Sequence, residues 1–218
     1  MKIPENWTFK NKEVADNFNN HVREQLPWYN MATDMTCQLA RSYLQDNSVL
    51  LDMACSTGNI TRGLKQTIED RNITAISMDT SKDMASQFEG VGTFMLADMT
   101  DIDLVPEFDV CVIMLGVMFT PIKNRRDWLT ALKNKCSSGG AIIIVDKINP
   151  ISGYLGQCIT RLTIKNKLDA GVEPIDIIEK ELSLSGIQRP TPEFAFENNN
   201  FRKWLQIGDF CGFICEVS

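Results

Sequence analysis

Four aspartates stand where short apolar runs end. Asp52 follows Val49-Leu50-Leu51, Asp79 follows Ala75-Ile76-Ser77-Met78, Asp98 follows Thr93-Phe94-Met95-Leu96-Ala97, and Asp146 follows Ala141 to Val145. A carboxylate accepts hydrogen bonds and attracts cations, so a row of them on one sheet edge suits hydroxyls, amines and a positively charged ligand and repels a phosphate-rich one. Asp79 lies 27 residues after Asp52, about one strand–helix–strand unit on, where an acid binds the 2′- and 3′-hydroxyls of a ribose. Thr80 beside it joins the expected binding set. Asp98 is expected to accept from an exocyclic adenine amine, with the Met99 backbone N–H reading a ring nitrogen. After the first acid comes Ala54-Cys55-Ser56-Thr57-Gly58, whose small side chains let backbone approach a ligand. The helix that follows offers unpaired N–H groups and a positive dipole end.

These residues need a scaffold that brings the ends of separate strands together. Strands are expected over 48–53, 75–78, 93–97, 109–115 and 141–145, with helices over 58–69, 82–89 and 123–136 between them. That alternation predicts a doubly wound, mostly parallel α/β sheet, whose ligands sit beyond the carboxyl ends of the strands. Two amphipathic helices, 11–25 and 29–45, precede it and read as a cap over a ligand cleft, packing on the sheet at the same time. Beyond Asn149 the pattern predicts helices over 151–168 and 174–184, a loop over 185–199, a helix over 200–208 and a closing strand over 210–217.

Composition narrows the function classes. The 218 residues are 44% hydrophobic and 23% charged, with a formal net charge of −6 and a pI near 4.9. That balance disfavours direct binding of nucleic acid through phosphates. Seven scattered cysteines without a C-x-x-C pair fit buried reduced thiols and a cytoplasmic setting. Lys2, Glu5 and Lys10 interrupt any apolar signal core, and no apolar run is long enough to span a membrane. No metal site is expected.

The first turn lacks G-x-G-x-x-G, no Walker A sequence occurs, and no N-P-P-Y or D-P-P-Y follows the fourth strand, where Leu115-Gly116-Val117-Met118 stands. Lys147, at the mouth of the fifth strand, and Tyr29 are weak catalytic candidates. Trp28 and Tyr29 are also positioned to wall a positively charged ligand through cation–π contact, or to staple the two N-terminal helices. His21, the only histidine, is expected to be solvated. Met114 and Met118 are expected in the core, with Met118 near an acceptor pocket.

The segment Asp52-Met53-Ala54-Cys55-Ser56-Thr57-Gly58 resembles the first motif, D-x-G-x-G-x-G, of the class I S-adenosylmethionine (SAM)-dependent methyltransferases, with Ala54 and Ser56 in place of two glycines. The resemblance implies a Rossmann-like fold with an antiparallel last strand. It implies SAM as cofactor and S-adenosylhomocysteine as product, Asp79 on the ribose, and Asp98-Met99 on the adenine. One domain is expected, with residues 1–46 as helical cap, 47–148 as Rossmann-like core and 149–218 as helical insertion and closing strand.

A narrower resemblance rests on Asn6-Trp7-Thr8-Phe9, Val14-Ala15-Asp16-Asn17-Phe18, Leu26-Pro27-Trp28-Tyr29, Cys55-Ser56 and Asp146-Lys147. These look like the carboxy-S-adenosylmethionine synthases, methyltransferase-fold enzymes that carboxylate SAM from prephenate for tRNA wobble-uridine modification. It implies that Tyr29 contacts the cofactor from the lid side, that Met114 occupies a cofactor-contacting position, and that the protein is a homodimer. Three departures stand out. Met114 stands where that family has a cofactor-contacting asparagine and cannot hydrogen-bond in the same way. Glu181 falls where that family holds the added carboxylate with an arginine, and the final hairpin looks one strand short. Three functions stay open: a methyltransferase acting on a small or partner-presented acceptor, a carboxy-SAM synthase relative, and a SAM-binding regulatory protein without transfer.

Overall fold

The computed structural model describes residues 3–5 and 7–218; Met1, Lys2 and Asn6, the last of these part of the N-terminal motif, lie outside the described residues. Seven strands form one sheet in the order β3-β2-β1-β4-β5-β7-β6. They are β1 (Val49–Met53), β2 (Thr74–Asp79), β3 (Thr93–Leu96), β4 (Phe108–Met114), β5 (Cys136–Lys147), β6 (Arg202–Ile207) and β7 (Phe210–Glu216). The first five run parallel, and β7 pairs antiparallel with both β5 and β6. Strand order reverses between β1 and β4, so the carboxyl ends of β1, β2 and β4 flank a crevice there.

Alternation along each strand feeds two cores. Leu50, Val110, Val112, Ile143 and Ile214 meet Ala40, Leu44, Ile60 and Leu64 on one face. Their neighbours Leu51, Cys111, Ile113, Ile142, Ile144 and Phe213 meet Trp128, Leu129, Leu132 and Phe196 on the other. Continuous apolar runs are what strands covered on both faces require.

The N-terminal helices are α1 (Lys12–Gln25) and α2 (Tyr29–Tyr43). Asn11 caps α1 by accepting from the Glu13 and Val14 backbone N–H groups at 2.9 and 3.3 Å. The expected helix after β1 is two short ones, α3 (Asn59–Gly63) and α4 (Lys65–Asp70), and the next is only α5 (Lys82–Ser86), capped by Ser81. Then come α6 (Arg125–Asn134), α7 (Gly153–Asp169), α8 (Pro174–Ser183) and a single turn, α9 (Glu193–Glu197), inside the stretch expected to be loop.

The helix expected over 200–208 is strand β6, joined to β7 through Gly208-Asp209 with Gly208 at φ 58°. The final hairpin is therefore complete, which corrects the one-strand shortfall. No helix among the described residues is long and apolar enough to cross a membrane.

Candidate functional site

A cavity of about 340 Å³ opens at the carboxyl ends of β1–β5 under the N-terminal segment, within the range of small-molecule sites. Asp52, Ala54, Ser56, Asp79, Thr80, Asp98, Met99 and Met114 all contribute to its wall, as do Tyr29 and Lys147. Gly58, Trp28 and Asp146 do not.

The turn after β1 has an unusual backbone. Ala54, Ser56 and Gly58 have φ of 55°, 51° and 82°, so all three glycine positions of the motif are left-handed, two of them occupied by L-residues at a cost of about 1–2 kcal/mol each. Backbone N–H groups hold the bend: Cys55 donates to Met78 O at 3.0 Å, Ser56 to Asp79 Oδ2 at 2.9 Å, and Gly58 to Cys55 O at 2.9 Å. Gly58 is glycine for a second reason. A Cβ there would lie 2.6 Å from the backbone of Gly90 and the ring of Phe88, so its work is packing behind the turn.

Asp79 accepts from Ser56 N–H with one oxygen and from Ser81 N–H with the other, both at 2.9 Å. A carboxylate has about four acceptor sites, so lone pairs remain for a diol. Burial raises its pKa, and the Ser81 and Ser56 N–H groups oppose that shift. Asp52 is 1% exposed, and its Oδ2 has no hydrogen-bond partner among the described residues. Burial, with Asp79 nearby, pushes it up to about 8. An unmatched buried carboxylate oxygen facing a cavity is a costly arrangement that a ligand ammonium would relieve. Asp98 is exposed and closes a tight turn by accepting from the Thr100 N–H and hydroxyl, each at 2.8 Å. The Met99 carbonyl is taken by Trp128 Nε1 at 2.8 Å, anchoring the loop to α6.

The cap closes the cavity and also packs on the sheet. Tyr29 is 5% exposed, its hydroxyl accepts from Asn59 Nδ2 at 3.2 Å, and Arg23 lies 5.6 Å from its ring centre. Burial lifts its phenol to about 12, so it is a hydrogen-bonding group and not a base. Asn19 of α1 accepts from Thr57 at 3.0 Å and from Asn59 at 3.1 Å, tying the cap to the turn. Thr33 reaches Met114 Sδ at 3.5 Å. Trp28 turns away and packs on Phe210 at 4.8 Å, so the aromatic wall is Tyr29 without its neighbour.

Asp146 is not a ligand-edge carboxylate. It is fully buried and accepts from the N–H groups of Val117 (2.7 Å), Met118 (3.2 Å) and Lys147 (2.7 Å), fixing the loop after β4. Burial raises it to about 7. Lys147 reaches the cavity and donates to Gln188 Oε1 at 3.0 Å.

Some wall residues lay outside the sequence expectations. His21 is buried, not solvated; it stacks on Trp7 at 5.3 Å with Nε2 unpartnered, and burial lowers it to about 4, Lys180 adding to the shift. Its spacing of seven from Val14 put it on the apolar face of α1, a legible signal. Lys167 and Lys180 are also buried, and burial, with Lys167 beside it, lowers Lys180 to about 5. Glu181 does line the cavity, but Lys167 Nζ lies 3.0 Å from its carboxylate. Burial works to raise the Glu181 pKa, and the attraction of Lys167 brings the net shift below the usual value. It is thus not an isolated repulsive charge.

Residues 51–144 match the sequence model of the family described as "Methyltransferase domain". The chain is similar to a carboxy-S-adenosyl-L-methionine synthase of Staphylococcus epidermidis, 25% identical over 228 aligned positions and covering 97% of each chain. Its fold is similar to that of an O-methyltransferase family protein from Burkholderia thailandensis, with TM-score 0.62 and 14% identity, covering 95% of this chain and 60% of that one. It is also similar to a S-adenosylmethionine-dependent methyltransferase from Clostridium acetobutylicum, with TM-score 0.60 and 12% identity, covering 93% and 98%.

Proposed function

We propose, for a chain that is a class I SAM-dependent methyltransferase in its fold and in the methyltransferase domain over residues 51–144, that it is an enzyme transferring a methyl group from SAM to a small or partner-presented acceptor. The single observation that carries the reading is the orphaned Oδ2 of Asp52 at the floor of the cavity, beside a turn with three left-handed residues and two further strand-end acids.

The residues present fit the cofactor. Asp52 would take its ammonium group, the turn from Ala54 to Ser56 would pass close to its amino-acid portion, and Asp79 with Thr80 would hold its ribose. Asp98 and the Met99 N–H would read its adenine, with Tyr29 and Met114 against it from the cap and from β4. When bound, SAM supplies a methyl group activated by its sulfonium. The chain's own contribution is positioning: the aspartates and the capped turn fix the donor, and α1, α7 and α8 enclose the acceptor and exclude water, which accounts for much of the rate of such a displacement. Tyr29 remains protonated and orients. Lys147, held by Gln188, is the proposed side chain beside the acceptor.

The finer assignments belong to the same proposal. Seven free cysteines, six of them buried, support a cytoplasmic setting. The exposed apolar side chains of α7 and α8, among them Leu155, Leu162, Ile178 and Leu182, support a homodimer. A carboxy-SAM synthase activity is a second reading, favoured by the ion pair of Glu181 with Lys167, which removes the charge objection. Mass spectrometry of ligand co-purified from cells, followed by turnover of SAM with cell extract, tests the set. SAM or S-adenosylhomocysteine with methyl transfer supports the main reading. Carboxy-SAM, formed from prephenate, moves the assignment to the second. SAM bound without any transfer leaves a regulatory binding protein.

A further inference from the structure

We infer that the acceptor is a small organic anion with a flat apolar body, its charged group held by Lys167 and Lys180 of the helical insertion beside His21 of α1. The inference deepens the methyl-transfer reading and rests on it, since it assigns the part of the cavity that the donor leaves free.

The cavity wall is electrically divided. Asp52, Asp79 and Asp98 end β1, β2 and β3, while Lys147 ends β5, on the other side of β4, and Lys167 and Lys180 come from α7 and α8. Lys167 and Lys180 are only 6% and 9% exposed, whereas lysines are almost never buried without a partner. Lys167 has Glu181, whose side chain is 55% exposed and therefore partly screened by water. Lys180 has no hydrogen-bond or ion-pair partner among the described residues and lies over the face of Trp7. His21 is 8% exposed with Nε2 unpartnered. Lys147 and Lys167 face one half-screened carboxylate and leave this end with surplus positive charge even while Lys180 is neutral, and a sulfonium donor in the same cavity adds to it. An anionic acceptor balances both. Burial holds Lys180 well below its ordinary pKa, and a bound anion reverses that by favouring the ammonium form. The body of the acceptor is set by the roof, where Phe9 meets Trp7, Phe18 and Phe119 edge-on at 5.8, 6.2 and 5.1 Å. Such a wall accepts a flat apolar group.

The test is isothermal titration of the full chain, first with S-adenosylhomocysteine and then, once saturated, with benzoate, its neutral isostere benzamide, and phenyl phosphate. Benzoate is expected to bind at least about tenfold more tightly than benzamide, roughly 1.4 kcal/mol, and Lys167→Met or Lys180→Met to remove the preference. Phenyl phosphate binding in place of benzoate keeps the inference and assigns a phosphate over a carboxylate. Benzamide binding as well as benzoate, or neither anion binding, overturns it. Failure of S-adenosylhomocysteine to bind in the first titration instead sinks the donor assignment, and this inference with it.

Discussion

Asp52→Asn should stabilise the protein without cofactor while weakening its hold on the cofactor. The side chain is 1% exposed with an unpartnered oxygen, and burial moves its carboxyl from 3.8 to about 8. Between those pH values the folded protein carries a proton that the unfolded chain has lost, so stability falls as pH rises from about 4 to about 8 and levels off above. At pH 7 the interval from 3.8 is worth about 4 kcal/mol, at about 1.4 kcal/mol per pH unit. Asparagine keeps the shape and removes the linkage, but leaves a buried amide short of partners at about 1–3 kcal/mol. The net gain expected is about 2–4 kcal/mol at pH 8, turning into a loss of about 1–3 kcal/mol near pH 4, where the linkage has vanished and the cost of the buried amide remains. Urea unfolding of both proteins across pH 5 to 8.5 measures it. Parallel pH profiles, or a variant destabilised equally throughout, would refute the reasoning. In the same variant, S-adenosylhomocysteine affinity should fall by about 1.5–3 kcal/mol, the loss of a hydrogen bond between charged groups. In the unmodified protein, binding should release protons near pH 7, visible as a dependence of binding enthalpy on buffer.

Three other substitutions separate the parts of the site. Asp79→Ala should weaken S-adenosylhomocysteine binding by about 1–3 kcal/mol, and unchanged affinity in calorimetry would count against the ribose role. Ala54→Gly should leave thermal stability unchanged or raise it by up to about 1 kcal/mol, since left-handed strain is exchanged for unfolded-state entropy; a loss would mean that the packing of the Ala54 methyl against the core matters more than the backbone. Gly58→Ala should cost about 2–4 kcal/mol, combining backbone strain with overpacking against Gly90 and Phe88, and a melting temperature equal to that of the parent would contradict the packing role.

The parallel core was legible because its signals are local. Short apolar runs, each closed by an acid, gave strands β1 to β3, and the small-residue turn marked the switch point. The segment 202–207 was misread because an edge strand is half exposed and lacks clean alternation, yet Gly208-Asp209 between two mixed runs is a two-residue hairpin signal. His21 was legible from its helical spacing. The burial of Lys167 and Lys180 was not, because only the packing of α7 on α8, and of α8 against Trp7, takes them out of water. Asp146 shows the converse: four acids ended strands in the same way, and nothing in their spacing distinguished the one that binds backbone N–H groups from the three that face the cavity.

A crystal structure of the chain with S-adenosylhomocysteine tests the central claim most directly. The account predicts adenine beside Asp98 and Met99, ribose hydroxyls on Asp79, and the amino group on Asp52 Oδ2. Density for the compound elsewhere, or none at these strand ends at saturating concentration, would contradict it.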